Sequence, residues 1–220
     1  MFRKYKKLLV IDFETTGLDY RKDKIIEVGA LSLNYKEDLK RFIPETEYGE
    51  LISISFPLPE IIINLTGITD QMLKEKGRPE QEMYQFFKEN LTEDTLLIAY
   101  NLQFDLSFLI TMMASYDKDF VFSSDILDIM AVYKDRYIYP HKLESAIQTF
   151  SIGIPNSHRA LDDVKATLEV MRSLAKEKSN LELYVNKIGY NKKYGVSGLK
   201  LPYVKYIAQA GNYREIEKIA

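Results

Sequence analysis

Three strand-like runs joined by short polar connections, followed by a switch to strand–helix alternation, constrain this chain more than any other feature of its sequence. Residues 7–13 (K-L-L-V-I-D-F) form a short apolar run that soon reaches polar Thr15, Thr16 and Gly17, as a buried strand would. Residues 24–33 and 39–43 read as two further strands, and connections this short favour antiparallel pairing. Helical spacing then takes over at 59–65 and 79–91, where Pro79 suits a first helical position. Residues 95–100 (T-L-L-I-A-Y) give another buried strand, 103–116 an apolar helix and 121–124 a last short strand. Helices are predicted over 126–135, 141–150 and 160–178. A three-strand antiparallel meander followed by two parallel strands implies an α/β fold, a mixed five-stranded sheet flanked by helices.

Composition narrows the chemistry. With 220 residues and 46% apolar content the chain buries a real core, and a formal net charge of −2 excludes a disordered polyelectrolyte. The absence of cysteine excludes a disulfide scaffold, a thiolate zinc site and a cysteine nucleophile. Only two histidines, His141 and His158, are present, so a multi-histidine metal site is excluded as well. Any metal must be held by oxygen, which points to magnesium, manganese or calcium. The basic start is followed by an apolar run of only residues 8–11 before Asp12, short of the ~7–15 residues of a signal-peptide core. No stretch approaches the ~18 apolar residues of a membrane span, so a cytoplasmic protein with no membrane partner is expected.

Acids recur where strands end. Asp12 and Glu14 lie two apart on the first strand, so both side chains leave one face, where they repel unless a cation lies between them. Read alone, the pair fits a solvated strand end equally well. Asp105 falls in the first turn of the helix after the fourth strand, where it also complements the helix dipole. Asp162 and Asp163 open the last helix, and His158 precedes them by too wide a step to share one helical face with Asp163. It therefore belongs to the loop before the helix, where a histidine beside dipole-compensating acids is an ordinary structural arrangement. Taken together, Asp12, Glu14, Asp105 and Asp163 offer oxygen ligands from three segments. Such a set suits a pair of hard cations clamping a phosphoryl displacement, with His158 as base for an attacking water.

The motifs D-F-E-T-T-G, N-x-x-F-D and H-R-A-x-x-D, in this order and covering residues 7–174 with L-T-G-I-T at 65–69 between them, resemble the DEDD family of 3′–5′ exonucleases, histidine branch. That family includes the proofreading epsilon subunit of bacterial DNA polymerase III and the exonuclease domain of polymerase C. The tyrosine branch would place a Tyr where Arg159 stands. The resemblance implies a ribonuclease-H-like fold and two divalent ions, Mg2+ or Mn2+. Asp12, Glu14, Asp105 and Asp163 would be the catalytic metal ligands and His158 the general base. It also implies substrate contacts at Thr15, Gly17, Thr66, Asn101 and Phe104; Phe104 is equally compatible with a place in the core. Two departures stand out: Tyr100 replaces a frequent His before Asn101, and Thr66-Gly67-Ile68 replaces the His-Gly-Ile of epsilon subunits.

The implied activity is release of nucleoside monophosphates from single-stranded or frayed DNA 3′ ends, in the setting of proofreading for a separate DNA polymerase subunit. RNA trimming, or a nucleic-acid or polymerase-binding adaptor on the same fold, are the alternatives. Charge divides the chain into a body, 1–178, and a C-terminal segment, 179–220. Between 183 and 214 lie Lys187, Lys192, Lys193, Lys200, Lys205 and Arg214 without one acid, interleaved with tyrosines. This composition suits a single-strand-binding surface, a protein-binding adaptor or an ordered coat on the body.

Overall fold

The computed structural model describes residues 2–154 and 159–219. Along β1 (Lys7–Thr15), Leu8 and Val10 enter one core cluster while Leu9, Ile11 and Phe13 enter another, as the two-residue period of a strand requires. β2 (Ile25–Lys36) pairs antiparallel with β1 and with β3 (Arg41–Leu51). β4 (Thr95–Ala99) joins the other edge of β1 in parallel, and β5 (Asp125–Asp128) continues parallel to β4. The resulting order, β3-β2-β1-β4-β5, is the mixed sheet expected from the sequence. β1, its central strand, is flanked by antiparallel pairing on one side and parallel pairing on the other.

Helices cover both faces. α3 (Glu80–Asn90) and α4 (Leu102–Tyr116) pack on the face of Leu9 and Ile11. The face of Leu8 and Val10 carries α5 (Ile129–Arg136), α6 (Leu143–Thr149) and α7 (Ala160–Glu177). α7 seats Val164, Leu168, Met171 and Leu174 there, and each such side chain contributes roughly 1.5–3 kcal/mol on burial. α1 (Glu60–Thr66) and α2 (Asp70–Lys76) enclose a smaller cluster around Ile26, Leu51 and Ile68. Among the described residues, no helix is long and apolar enough to cross a membrane.

Several elements depart from the sequence reading, among them β3, expected at 39–43 but running over Arg41–Leu51. The strand placed at 121–124 lies instead at Asp125–Asp128; Val121 is 79% exposed whereas Ile126 and Leu127 are fully buried. The helix placed at 126–135 correspondingly starts at Ile129, where the Asp128 carboxylate caps it by accepting from the Met130 N–H at 3.0 Å. α2, capped by Thr69 accepting from the Met72 N–H at 3.2 Å, was not expected at all.

The C-terminal segment packs against the body. β6 (Lys187–Tyr190) and β7 (Lys205–Ala208) form a two-stranded parallel sheet. Tyr184, Ile207 and Ile216 join the cluster under α5 and α7, while Ile188 and Val204 join that under α4. Asp135, fully buried in α5, accepts from the Tyr184 hydroxyl at 3.0 Å, the Gln209 amide at 3.0 Å and the Ile216 and Glu217 N–H groups at 3.0 and 3.1 Å. Of the three readings of this segment, an ordered coat describes its packing.

Candidate active site

β1 outlasts its parallel partner. Pairing with β4 ends at Val10 opposite Ile98, so the last residues of β1 project beyond the carboxyl end of β4. This is where a sheet changes direction and where ligands of open α/β folds gather. Asp12 and Glu14 share the even face of β1 with Leu8 and Val10, which places them under the N-terminus of α7. One oxygen each of Asp12, Glu14 and Asp163 lies within 4.8 Å of the others. Asp105, from α4, stands outside that set. Its Oδ1 accepts from the Phe13 N–H at 2.9 Å, a donor that β4 is too short to engage.

Burial and mutual repulsion oppose ionisation of this group. Burial, then the charges of Asp163 and Glu27, push Glu14 up to about 8, against a smaller opposing pull from Arg159. Burial and the neighbouring Asp162 and Glu27 push Asp163 up to about 7. Asp12 is raised by burial first and then by Asp105, Asp163 and Glu14. Asp105 is raised by burial despite the hydrogen bond from Phe13. Oδ1 of Asp163 is buried with no hydrogen-bond partner among the described residues. An acceptor left unpaired beside two more carboxylates is what an oxygen-ligated cation site requires.

α7 is brought to this place by two residues of β2 that the sequence reading passed over. Opposite Glu14 in the ladder lies Glu27, buried, whose Oε1 accepts from Arg159 Nε and Nη2 at 2.9 and 2.7 Å. Its Oε2 accepts from the Ala160 N–H at 3.1 Å, capping a helix whose own N-cap, Arg159, supplies no side-chain acceptor. Opposite Asp12 lies Gly29; a Cβ there would meet the Ala160 carbonyl carbon at 2.3 Å. The missing side chain lets α7 approach the strand closely enough for Asp163 to reach Asp12. A lone acid and a glycine inside the apolar run I-I-E-V-G-A were the available signal.

Another buried acid, Asp128, positions the other side. Asp128 Oδ1 accepts from the Asn101 and Leu102 N–H groups at 3.1 and 3.4 Å as well as from Met130, so one carboxylate ties the start of α4 to the start of α5. Burial pushes Asp128 up to about 6. Asn101 itself holds φ +66°, a left-handed conformation that asparagine tolerates better than most residues.

The expected substrate residues are distributed unevenly. Asn101 is exposed and lines one cleft with Asp12 and Asp163. Thr15 is buried, its hydroxyl donating to the Gly17 carbonyl at 2.6 Å, and Gly17 abuts the Asp23 carboxylate. Phe104 is half-buried against Phe108 and faces a separate hollow with Leu18 and Gln103. Thr66 is buried, and its hydroxyl closes α1 locally by donating to the Ile62 carbonyl and accepting from the Ile68 N–H. His158 lies outside the described residues.

Residues 9–171 match the family model described as Exonuclease (RNase_T). Among curated proteins, the chain is 29% identical over 218 residues to the DNA polymerase III PolC-type of Clostridium perfringens, covering 96% of this chain and 14% of that protein. It is 33% identical over 172 residues to the protein of the same name from Listeria welshimeri, covering 76% of this chain and 11% of that one. The chain thus spans only about an eighth of the length of such relatives. Among solved structures, E. coli Exonuclease I in complex with a dT13 oligonucleotide superposes with a TM-score of 0.67 at 19% identity, covering 81% of this chain and 43% of that one. Exonuclease I from Methylocaldum szegediense gives 0.63 at 22% identity, covering 80% and 41%.

Proposed function

The chain belongs to the Exonuclease (RNase_T) family, and on that premise we propose that it is a metal-dependent enzyme removing nucleoside monophosphates from the 3′ end of single-stranded or frayed DNA. One observation carries the reading: carboxylates of Asp12, Glu14 and Asp163 converge from β1 and α7, with a buried Asp163 oxygen that has no hydrogen-bond partner among the described residues. These residues fit divalent cations, Mg2+ or Mn2+, because every donor is a hard oxygen and the cluster repels itself without a counter-charge. Asp105 behind them completes the proposed set. When bound, such ions neutralise the cluster, draw charge from the phosphodiester and acidify water.

The protein's own residues then have distinct tasks. Glu27 and Arg159 hold the N-terminus of α7, and so Asp163, against β1. His158 takes the proton from the attacking water. Water oxygen bonds to phosphorus, the bond from phosphorus to the 3′ oxygen breaks, and a nucleoside 5′-monophosphate leaves a strand one residue shorter. Thr15, Gly17, Thr66, Asn101 and Phe104 remain the proposed substrate contacts, with Asn101 supported by its place in the cleft of Asp12 and Asp163. The likeness to PolC-type polymerases supports proofreading beside a polymerase chain as the setting.

Calorimetric titration with Mn2+ tests the metal assignment without relying on turnover. Binding is expected for the unmodified protein and its loss for Asp12→Ala, with the fold of the variant checked by circular dichroism. Undiminished binding by folded Asp12→Ala would overturn the assignment.

A further inference from the structure

The cleft that contains Asp12 and Asp163 has a volume of about 600 Å³, and another part of its lining is basic. Lys134, His141 and Lys142 line it there, together with Tyr139 and with Asn191 from the C-terminal segment. Lys134 is the unusual member. It is only 9% exposed, yet among the described residues its ammonium makes neither a hydrogen bond nor an ion pair. A nearly buried cation facing a cleft without a partner is costly unless something anionic arrives to meet it. Asp128 and Glu215 are near enough to favour its charge, but burial outweighs them and holds Lys134 below the ordinary lysine value.

This wall is built, not incidental. The Tyr100 hydroxyl is shared between the His141 and Lys142 carbonyls at 3.0 and 3.2 Å, anchoring that stretch beside the catalytic strand ends. His141 Nε2 donates to the Tyr137 carbonyl at 2.9 Å, and Gly211 closes over the ring so tightly that a Cβ would lie 2.8 Å from it. The Lys134 carbonyl accepts from the Asn212 N–H at 2.8 Å, so the C-terminal segment fixes the same wall from behind. Tyr139, 79% exposed, stands edge-on to His141 at 5.8 Å and offers a free ring face.

A strand reaching the carboxylates brings more than one phosphate. The acidic part of the lining accepts a phosphate only through cations, so the next phosphate along must find positive charge elsewhere, and the same cleft provides it. We propose that Lys134 and Lys142, with His141, seat a phosphodiester upstream of the scissile one, while Tyr139 stacks on the adjoining base. The ligand is single-stranded nucleic acid, recognised through backbone charge and a base face and therefore without sequence preference. This subsite rests on the exonuclease reading above and deepens it.

Fluorescence anisotropy of a labelled oligothymidylate of about ten nucleotides, in EDTA so that nothing is cleaved, tests it directly. Lys142→Ala is expected to weaken binding about five- to tenfold and to reduce the slope of log affinity against log salt by about 0.7, the value of one phosphate contact on a single strand. Lys134→Met should do the same, and Lys134→Arg, which restores the charge, should recover the slope. Should Lys134→Met fail to fold, the exposed Lys142→Ala still decides. Unchanged affinity and slope in folded Lys142→Ala would overturn the subsite. Failure of the exonuclease reading would appear separately, as no 3′-end shortening by the unmodified protein once magnesium is supplied.

Discussion

Asp162 and Asp163 are sequence neighbours with different surroundings. Helical neighbours diverge by about 100°; Asp163 is buried against Asp12 and Glu14, whereas Asp162 is half-exposed, and its charge raises Asp163 and favours the Arg159 cation. Asp163→Asn is expected to reduce nuclease turnover by more than about 100-fold and Asp162→Asn by only a few-fold, read from initial rates on one oligonucleotide. The reverse ranking would show that the ligand has been misassigned. The same carboxyls make metal-free stability depend on pH. Glu14 and Asp163 ordinarily titrate at 4.5 and 3.8 but reach about 8 and 7 in the fold. Between those limits the folded state holds protons that the unfolded chain has released, so stability falls as pH rises. The melting temperature in EDTA should therefore be lower at about pH 8 than at about pH 6, with Glu14→Gln flattening the trend and magnesium rescuing most at the higher pH. A melting temperature rising across that window would contradict the assigned shifts.

Elements hold these residues in place, and here Gly29 is the sharpest test. Gly29→Ala puts a Cβ 2.3 Å from the Ala160 carbonyl carbon, so α7 must lift from β2. A loss of roughly 1–3 kcal/mol in denaturant unfolding is expected, with turnover reduced because Asp163 moves with its helix. Unaltered stability would mean that α7 does not need the close approach. The strand bearing Asp12 and Glu14 was legible because a two-residue period and a continuous apolar run leave little choice of face. Residues 125–132 were not, because D-I-L-D-I-M-A-V is one apolar stretch in which a four-residue strand passes directly into a helix. α2 went unseen because Leu73 is its only buried side chain, too little for a periodic signal. Glu27 stands out in the sequence as a lone acid in an apolar run, but its role and that of Lys134 were not legible, because they depend on partners at residues 159–160 and on a cleft wall that forms only when the chain is folded.

At the scale of the whole molecule, the C-terminal segment shares the cores of the body. Tyr184 and Ile216 are fully buried, and Asp135 would lose its donors from Tyr184, Gln209, Ile216 and Glu217 if the chain stopped at Lys178. Each such hydrogen bond to a carboxylate contributes roughly 1.5–3 kcal/mol, so the truncated chain is expected to melt far below the full one or not to fold. An unchanged melting temperature would make the segment a separable arm. The exonuclease assignment itself is tested most directly by the end from which a strand shortens. Single-stranded DNA labelled at its 5′ end, incubated with Mg2+ or Mn2+, should give a descending ladder, and 3′-labelled DNA should release labelled mononucleotide first. EDTA and Asp163→Asn should abolish both. Internal cuts without a ladder, mononucleotide released first from the 5′ end, or cleavage that survives EDTA would contradict a metal-dependent 3′–5′ exonuclease built on Asp12, Glu14 and Asp163.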